Sequence, residues 1–492
     1  MSSKFDTIII GTGLGALTSA CLLAQQGQKN LILEQNYLPG GCTSSYWRKG
    51  FVFESGATTL VGLEENMPLG YLLKQIGINI KARQLEIPMK IYLKNGDILT
   101  RYQNLEQWIE EAERVFGHKN QKEFWNFCYK VSQFVWKTSL QQKFFPPKKI
   151  NDFLQCIKNV TFSQLNYAQY AFYSTEWLLK NFDLLDNQLF VDFVNEQLII
   201  TAQNYLKEVN VLFGATALCY TNFPNYYVDG GLINVINPLI DYLEKNNSSV
   251  NLRENVKQID YSNSSKSYQI ITNKNEYESQ FVISGIPLNN TLDIYEKVRK
   301  KFKNKVLQSS QLSSAFQMGI GFKCENKQKF TCIHHQIHLE SGLPFLNTKS
   351  IFVSLSHAQD TTRTDEASQM VASVSTHWHN PENIFVEDKS ILEKLVIKIL
   401  VEKGFFEEKD VIYYHSSGQK SWEKWTGRAF GFVGGYPQFK HIKPWQMMES
   451  RLDNHKAYIC GDTTYPGQGI PGTVLSGIIA FEKIRTDWKI SN

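Results

Sequence analysis

Asp6-Thr-Ile-Ile-Ile10-Gly11-Thr-Gly13-Leu-Gly15-Ala16, near the start of a chain of 492 residues, sets the frame for everything after it. Asp6 to Ile10 is short and β-branched, as a buried parallel strand is. Leu14 to Gln26 has helical apolar spacing, and Gly27 is placed to end that helix. Asn30 to Glu34 reads as a second buried strand, so the unit is a right-handed crossover in a parallel sheet. Gly11 permits a tight turn, and Gly13 lets backbone approach a pyrophosphate with no Cβ in the way. The third glycine, Gly15, opens the helix, and Ala16 is small enough for that helix to pack on the strands. The helix N-terminus offers free N–H groups and partial positive charge to phosphates. Glu34 lies about 20 residues on, where a carboxylate grips ribose hydroxyls and would repel a 2′-phosphate. Thr7 to Gln28 carries no charge, yet its clustered glycines argue for strand, turn and helix rather than a signal peptide or membrane span.

Beyond this segment, the length exceeds one ordinary core, so two domains are expected. Hydrophobic content of 42% with 20% charged residues is globular, and a net charge of +5 makes no case for nucleic acid. Aromatic content of 13% suits a large apolar partner. Eight scattered cysteines without a C-x-x-C pair read as reduced thiols of a cytoplasmic protein, with no zinc-type spacing. From Leu105 to Leu212 the pattern is helical and aromatic-rich, and residues 313 to 378 look like longer, alternating strands. Sheet-and-helix pieces recur at both ends and in the middle. The expected fold is α/β: a Rossmann-like domain from residues 1–80, 226–290 and 440–492, with an inserted α+β substrate domain from 81–225 and 291–439.

The residues after the fingerprint separate FAD from NAD. Glu34-Gln35-Asn-Tyr-Leu-Pro-Gly40-Gly41 and Phe51-Val-Phe-Glu-Ser-Gly-Ala-Thr58 resemble the extended FAD-contacting segment of the phytoene desaturase, carotenoid isomerase and monoamine oxidase superfamily, most closely its carotenoid branch. Ala457-Tyr-Ile-Cys-Gly461-Asp462 and Gly467-Gln-Gly-Ile-Pro-Gly472 are similar to its C-terminal flavin motif. Asp229-Gly-Gly-Leu232, Asn251-Leu-Arg-Glu-Asn-Val256 and Val282-Ile-Ser-Gly285 are similar to its return into the FAD domain. The resemblance implies that Val256 lies beside the adenine and that Asp462 bonds the ribityl–pyrophosphate region. It also implies that a helix opening at Gly472, Thr473 and Val474 aims its positive end at the flavin N1/O2, worth about 0.3–1 kcal/mol. Gly472 and Gly477 would allow the ring to approach. One departure matters: many relatives carry Arg after the Gly-Gly pair, where Cys42 and Thr43 stand here, leaving Arg48 as a candidate counter-charge.

No second G-x-G-x-x-G appears in a strand–helix setting, since Gly319-Ile-Gly321 lacks the third small residue, so a quinone or oxygen is the expected electron acceptor rather than a nicotinamide. The resemblance implies an apolar polyene substrate, with desaturation by hydride transfer to flavin N5 or flavin-dependent cis–trans isomerisation. Arg428 and Tyr436, in a glycine-rich connector, are candidates to line the substrate site. The alternatives are another flavoprotein of the superfamily, such as an amine oxidase, and a flavin-free lipid-binding relative like the Rab GDP-dissociation inhibitors. His334, His335, His338, His377 and His379 would meet only if two strands were adjacent, and without an acidic or cysteine partner no metal is expected. Residues 119–158 carry eight lysines interleaved with Trp125, Phe127, Trp136, Phe144, Phe145 and Phe153. That pattern suits peripheral contact with an anionic membrane, and equally a core stripe with a solvated lysine face.

Overall fold

The computed structural model describes residues 3–159, 166–346, 348–383 and 388–490. The fingerprint forms strand Ser3–Ile10, helix Leu14–Gln25 and strand Asn30–Leu33, with the strands parallel and Thr7 opposite Asn30, Ile10 opposite Leu33. Strand Ser249–Asn251 extends the sheet beyond Asn30–Leu33. On the other side the first strand pairs in parallel with Glu276–Ser284. That long strand pairs at its far end with Ala457–Ile459 and at its near end with the antiparallel strand Ser267–Thr272, which in turn pairs with Val256–Ser262. Toward their carboxyl ends the central parallel strands are apolar, at residues 8–10, 31–33 and 281–283, because both faces are covered there. Ile9, Ile32 and Ile283 point into one core with helices Leu14–Gln25, Ile233–Lys245 and Ile470–Trp488. Ile8, Ile10, Leu31 and Val282 point into the other, against Leu288 and Tyr295.

A second sheet runs in the order Val411–Ser417, Ser313–Lys323, Gln369–His379, Ser350–Leu355, His334–His338, Met89–Tyr92, Ile98–Arg101. Residues 313–322 are buried on both faces rather than alternating. The reason lies in the hairpin Ser45–Glu54, whose Phe51 and Phe53 lie on Gly321 and Gly319; a Cβ at Gly319 would stand 2.7 Å from the Phe53 ring. The Gly-Ile-Gly triplet therefore makes room for two phenyl rings. Strand Ser350–Leu355 separates His334–His338 from Gln369–His379, so the histidines are not brought together, and no group of three metal-ligating side chains occurs among the described residues. Burial pushes His334 down to about 3 and His335, His338 and His377 down to about 4, which keeps all four neutral.

The helical layer between residues 105 and 219 packs around Trp108, Trp125, Phe190 and Phe193, all fully buried. Of the aromatic residues interleaved with the lysines, Trp125 is core, Phe127, Trp136, Phe144 and Phe145 are half-buried, and Phe153 is exposed. No helix among the described residues is long and apolar enough to cross a membrane.

The two ends of the chain meet. Helices Leu14–Gln25 and Ile470–Trp488 lie side by side, closely enough that a Cβ at Gly15 would sit 3.0 Å from the Thr473 carbonyl and 3.1 Å from the Gly461 nitrogen. Gly477, expected to face a flavin ring, instead lies against the Gly15 carbonyl and Thr18, and its own carbonyl accepts from Ser19 Oγ at 2.9 Å. A side chain there would wedge the helices apart.

Candidate functional site

A cavity of about 880 Å³ opens beyond the carboxyl ends of the parallel strands, where open α/β sheets bind ligands. Its walls come from Gly11–Gly13, Leu33–Leu38, Cys42, Val256, Gly285–Pro287 and, from far along the chain, Trp425–Arg428. Gly11 adopts φ +90°, which only glycine takes without strain, and its N–H donates to the Leu33 carbonyl. The rim beyond it is open: a Cβ at Gly13 would meet nothing nearer than the Gly285 carbonyl at 4.0 Å, and one at Gly41 nothing nearer than Gly13 Cα at 3.9 Å.

Glu34 stands at the end of its strand with its carboxylate in the cavity wall. Thr12 donates to Oε2 through its N–H (3.0 Å) and hydroxyl (2.6 Å), and the Asn36 N–H donates to Oε1 at 2.8 Å. Three of roughly four lone-pair directions are thereby used, leaving capacity for a ribose hydroxyl. Thr12 Oγ1 in turn accepts from the Gly40 N–H at 3.0 Å, tying the fingerprint turn to the Pro-Gly-Gly segment. Thr12 carried no sequence signal, because any residue fits the second place of the fingerprint. Behind Glu34, burial alone would raise the Glu254 carboxyl, but bonds from Thr272, Tyr277, Asn251 and Asn275 outweigh it and hold it below the usual range.

Deeper in, Arg428 is 12% exposed and its Nη2 donates to Asp462 Oδ2 at 2.6 Å. Asp462 stands behind it, outside the cavity lining. Cys42 lies close by, its thiol pushed up by burial and eased down by the Arg428 charge. Arg428 Nη1, Ser44 Oγ and His415 Nδ1 are buried polar atoms on cavity-lining residues without a hydrogen-bond partner. Open glycines, a carboxylate with spare capacity, a helix N-terminus and unpartnered donors fit the ADP half of a dinucleotide such as FAD. Sequence reading missed Ser44, His415 and its partner Tyr46 (Tyr46 Oη to His415 Nε2, 2.7 Å), since they meet only where the two sheets face each other.

Of the residues singled out from the sequence, Gly11, Gly13, Glu34, Gln35, Gly41, Cys42, Val256 and Arg428 line this cavity. Arg48 does too, but it is exposed and lies over the Tyr413 ring at 5.9 Å. Gly15, Ala16, Gly40, Thr43, Gly461, Asp462, Gly472, Thr473 and Val474 do not. Ala16 packs on Gly285 and Val474 is wholly buried in the core, so neither side chain is free to touch a ligand. Gly40 backs onto Ile236, Thr43 is buried within the short helical turn Gly41–Thr43, and the Gly461 N–H donates to Ser476 Oγ at 2.8 Å. Gly472 faces the Gly467 carbonyl, and Thr473 Oγ1 donates to the Gly469 carbonyl at 3.0 Å. Tyr436 turns away from the cavity and donates its hydroxyl to Asn289, burial raising its phenol.

Residues 17–484 match the family described as flavin containing amine oxidoreductase. A prolycopene isomerase 1, chloroplastic, from an Oncidium hybrid cultivar is 24% identical over 99% of this chain and 84% of its own length. A 4,4′-diapophytoene desaturase from Staphylococcus aureus is 20% identical over 97% of this chain and 98% of its own. Among solved structures, an oxidoreductase from Methanosarcina mazei superposes with a TM-score of 0.63 at 15% identity, covering 98% of this chain and 100% of its own.

Proposed function

The chain belongs to the flavin containing amine oxidoreductase family and is an FAD-dependent oxidoreductase, and from that premise we propose that it carries out double-bond chemistry on an apolar, carotenoid-like polyene. The carrying observation is that similarity to a prolycopene isomerase and a diapophytoene desaturase runs over nearly the whole chain, not the nucleotide-binding ends alone. In this reading residues 1–80, 226–290 and 440–492 form the FAD-binding domain, and 81–225 with 291–439 receive the substrate. Bound FAD supplies the acceptor for hydride from an allylic carbon, or the transient electron density that lets a double bond rotate. The chain's part is placement: Glu34 holds the ribose, the Gly11–Gly13 turn admits the diphosphate, and neutral His415 with Tyr46 lines the inner wall. Burial pushes His415 down to about 4, so it carries no charge near pH 7.

Purified protein is expected to absorb near ~450 nm from its flavin. Incubated with acyclic carotenoids, it is expected to change their absorption. A product two hydrogens lighter, formed with a quinone or oxygen as acceptor, identifies desaturation; an unchanged mass with altered geometry identifies isomerisation. No change in any polyene, with turnover of amines instead, overturns the substrate reading.

Contact with a membrane surface is the companion proposal, since such a substrate resides in lipid. Helix Ile150–Lys158 exposes Ile150 (81%), Phe153 (51%), Leu154 (53%) and Ile157 (68%) at i, i+3, i+4 and i+7, one stripe of a helix. Exposed Lys148, Lys149 and Lys158 flank it, while Asp152 points inward to Arg451. Changing Phe153, Leu154 and Ile157 together to serine is expected to weaken binding to phosphatidylserine-containing vesicles roughly tenfold or more while leaving the melting temperature in place, because these side chains support no core. Undiminished co-sedimentation would remove this face from the account.

A further inference from the structure

We propose that Arg428 is the counter-charge for the diphosphate of the bound dinucleotide, an assignment that rests on the FAD reading above and gives this residue a cofactor role rather than a substrate one. A diphosphate diester carries two negative charges, and a helix N-terminus offsets only about half of one. Among the described residues, the cations lining the cavity are Arg48, Lys257 and Arg428. Arg48 and Lys257 are exposed, where water screens them; the Arg428 side chain is only 12% exposed. One arm of its guanidinium is held by Asp462, and the other, Nη1, is buried with no acceptor in the protein. A buried donor in that state is unfavourable until an acceptor arrives.

The loop carrying Arg428 is clamped to the nucleotide-binding side. Asn290 donates to the Gly427 carbonyl at 2.6 Å and accepts from the Ala429 N–H at 3.3 Å. Asn36, two residues beyond Glu34, donates to the Trp425 carbonyl at 3.0 Å. Gly427 itself lies against the Gln35 amide with φ +67°, leaving no room for a side chain. The guanidinium thus sits near Cys42, immediately after Gly41, and is bonded to Asp462. Although the ion pair is neutral overall, its cationic member Arg428 lines the cavity and its anionic member Asp462 does not. An apolar polyene offers nothing for a guanidinium to bind, whereas a phosphate accepts its N–H groups in a charge-assisted bond.

The test titrates full-length protein, freed of cofactor, with ADP and with adenosine. Arg428→Met is expected to weaken ADP binding roughly 10- to 100-fold, the range of a charge-assisted bond, and to leave adenosine binding unchanged. Arg428→Lys, which keeps the charge and loses the planar fork, should fall between. In an Asp462→Asn background Arg428→Met should still weaken ADP binding at least ~10-fold. If the loss disappears in that background, Arg428 only neutralises Asp462 and the proposal fails. It fails equally if ADP affinity is unaltered while the parent binds FAD, or if adenosine suffers as much as ADP. A parent protein that binds neither FAD nor ADP brings down the flavin reading along with it.

Discussion

Replacing Gly13 with valine is expected to give protein that melts like the parent and carries no flavin. Gly13 has φ −61° and ψ 158°, an extended conformation that valine adopts readily. The space around its missing Cβ is empty of protein, the Gly285 carbonyl at 4.0 Å being the nearest atom. Nothing in the fold therefore resists the substitution, and the stability change should stay within about 0.5 kcal/mol. The cradle for the diphosphate, however, is filled by two methyl groups, so FAD affinity should fall at least ~100-fold. Gly15→Val is the contrasting control, because its side chain meets the Thr473 carbonyl and Gly461 nitrogen at about 3 Å and should destabilise the fold by about 1–3 kcal/mol. Absorbance near ~450 nm per protein, read beside a melting curve, separates the two. A Gly13→Val protein with a full complement of flavin would place the cofactor elsewhere.

Removing Arg451 should damage the fold more than any surface change. Its guanidinium bonds Asp152 at 2.8 and 2.9 Å, Asp487 at 2.7 and 3.0 Å, and Glu449 at 3.3 Å, all within a region where Arg451 and both aspartates are under a tenth exposed. It joins helix Ile150–Lys158 to the terminal helix Ile470–Trp488. Arg451→Met leaves two carboxylates buried without their main partner, and such losses run to about 3–5 kcal/mol. Lys149, 2.9 Å from Asp487, relieves part of one of them. The same geometry sets the pH dependence. In the parent, burial would raise Asp152 and Asp487, but the Arg451 bonds outweigh it and hold both below the usual range. Their contribution is therefore present above the unfolded value of about 3.9 and is lost as pH falls through the folded values. In Arg451→Met burial acts with less opposition, so the carboxyls take up protons at higher pH and the variant's deficit should narrow between pH 7 and pH 5. Denaturant unfolding of both proteins at the two pH values checks this, and a gap that does not change with pH rules it out.

The parts legible from sequence are those whose physics is local. A β-branched strand, a glycine turn, an apolar helix and a second strand ending in Glu34 fit within the first 34 residues, where steric limits and side-chain period leave one arrangement. The same holds for the strand-and-helix pattern after Ala457. Side-chain neighbours across the chain are a different matter. Trp125 sits in a lysine-rich stretch yet is core, because helix Gln121–Ser139 turns that side toward Trp108 and Phe193. Gly477 serves a helix pair, Gly319 and Gly321 serve Phe53 and Phe51, and Arg428 reaches Cys42 and Asp462, none of which shares a local pattern with its partner.

That the amino-terminal turn is built to grip a dinucleotide is written in the order of its residues, since glycine spacing and strand composition act over short distances along the chain. Which buried charge faces that ligand is not written there. Arg428 and Asp462 meet the turn through packing of elements from the far end of the chain, and no periodicity records such a meeting.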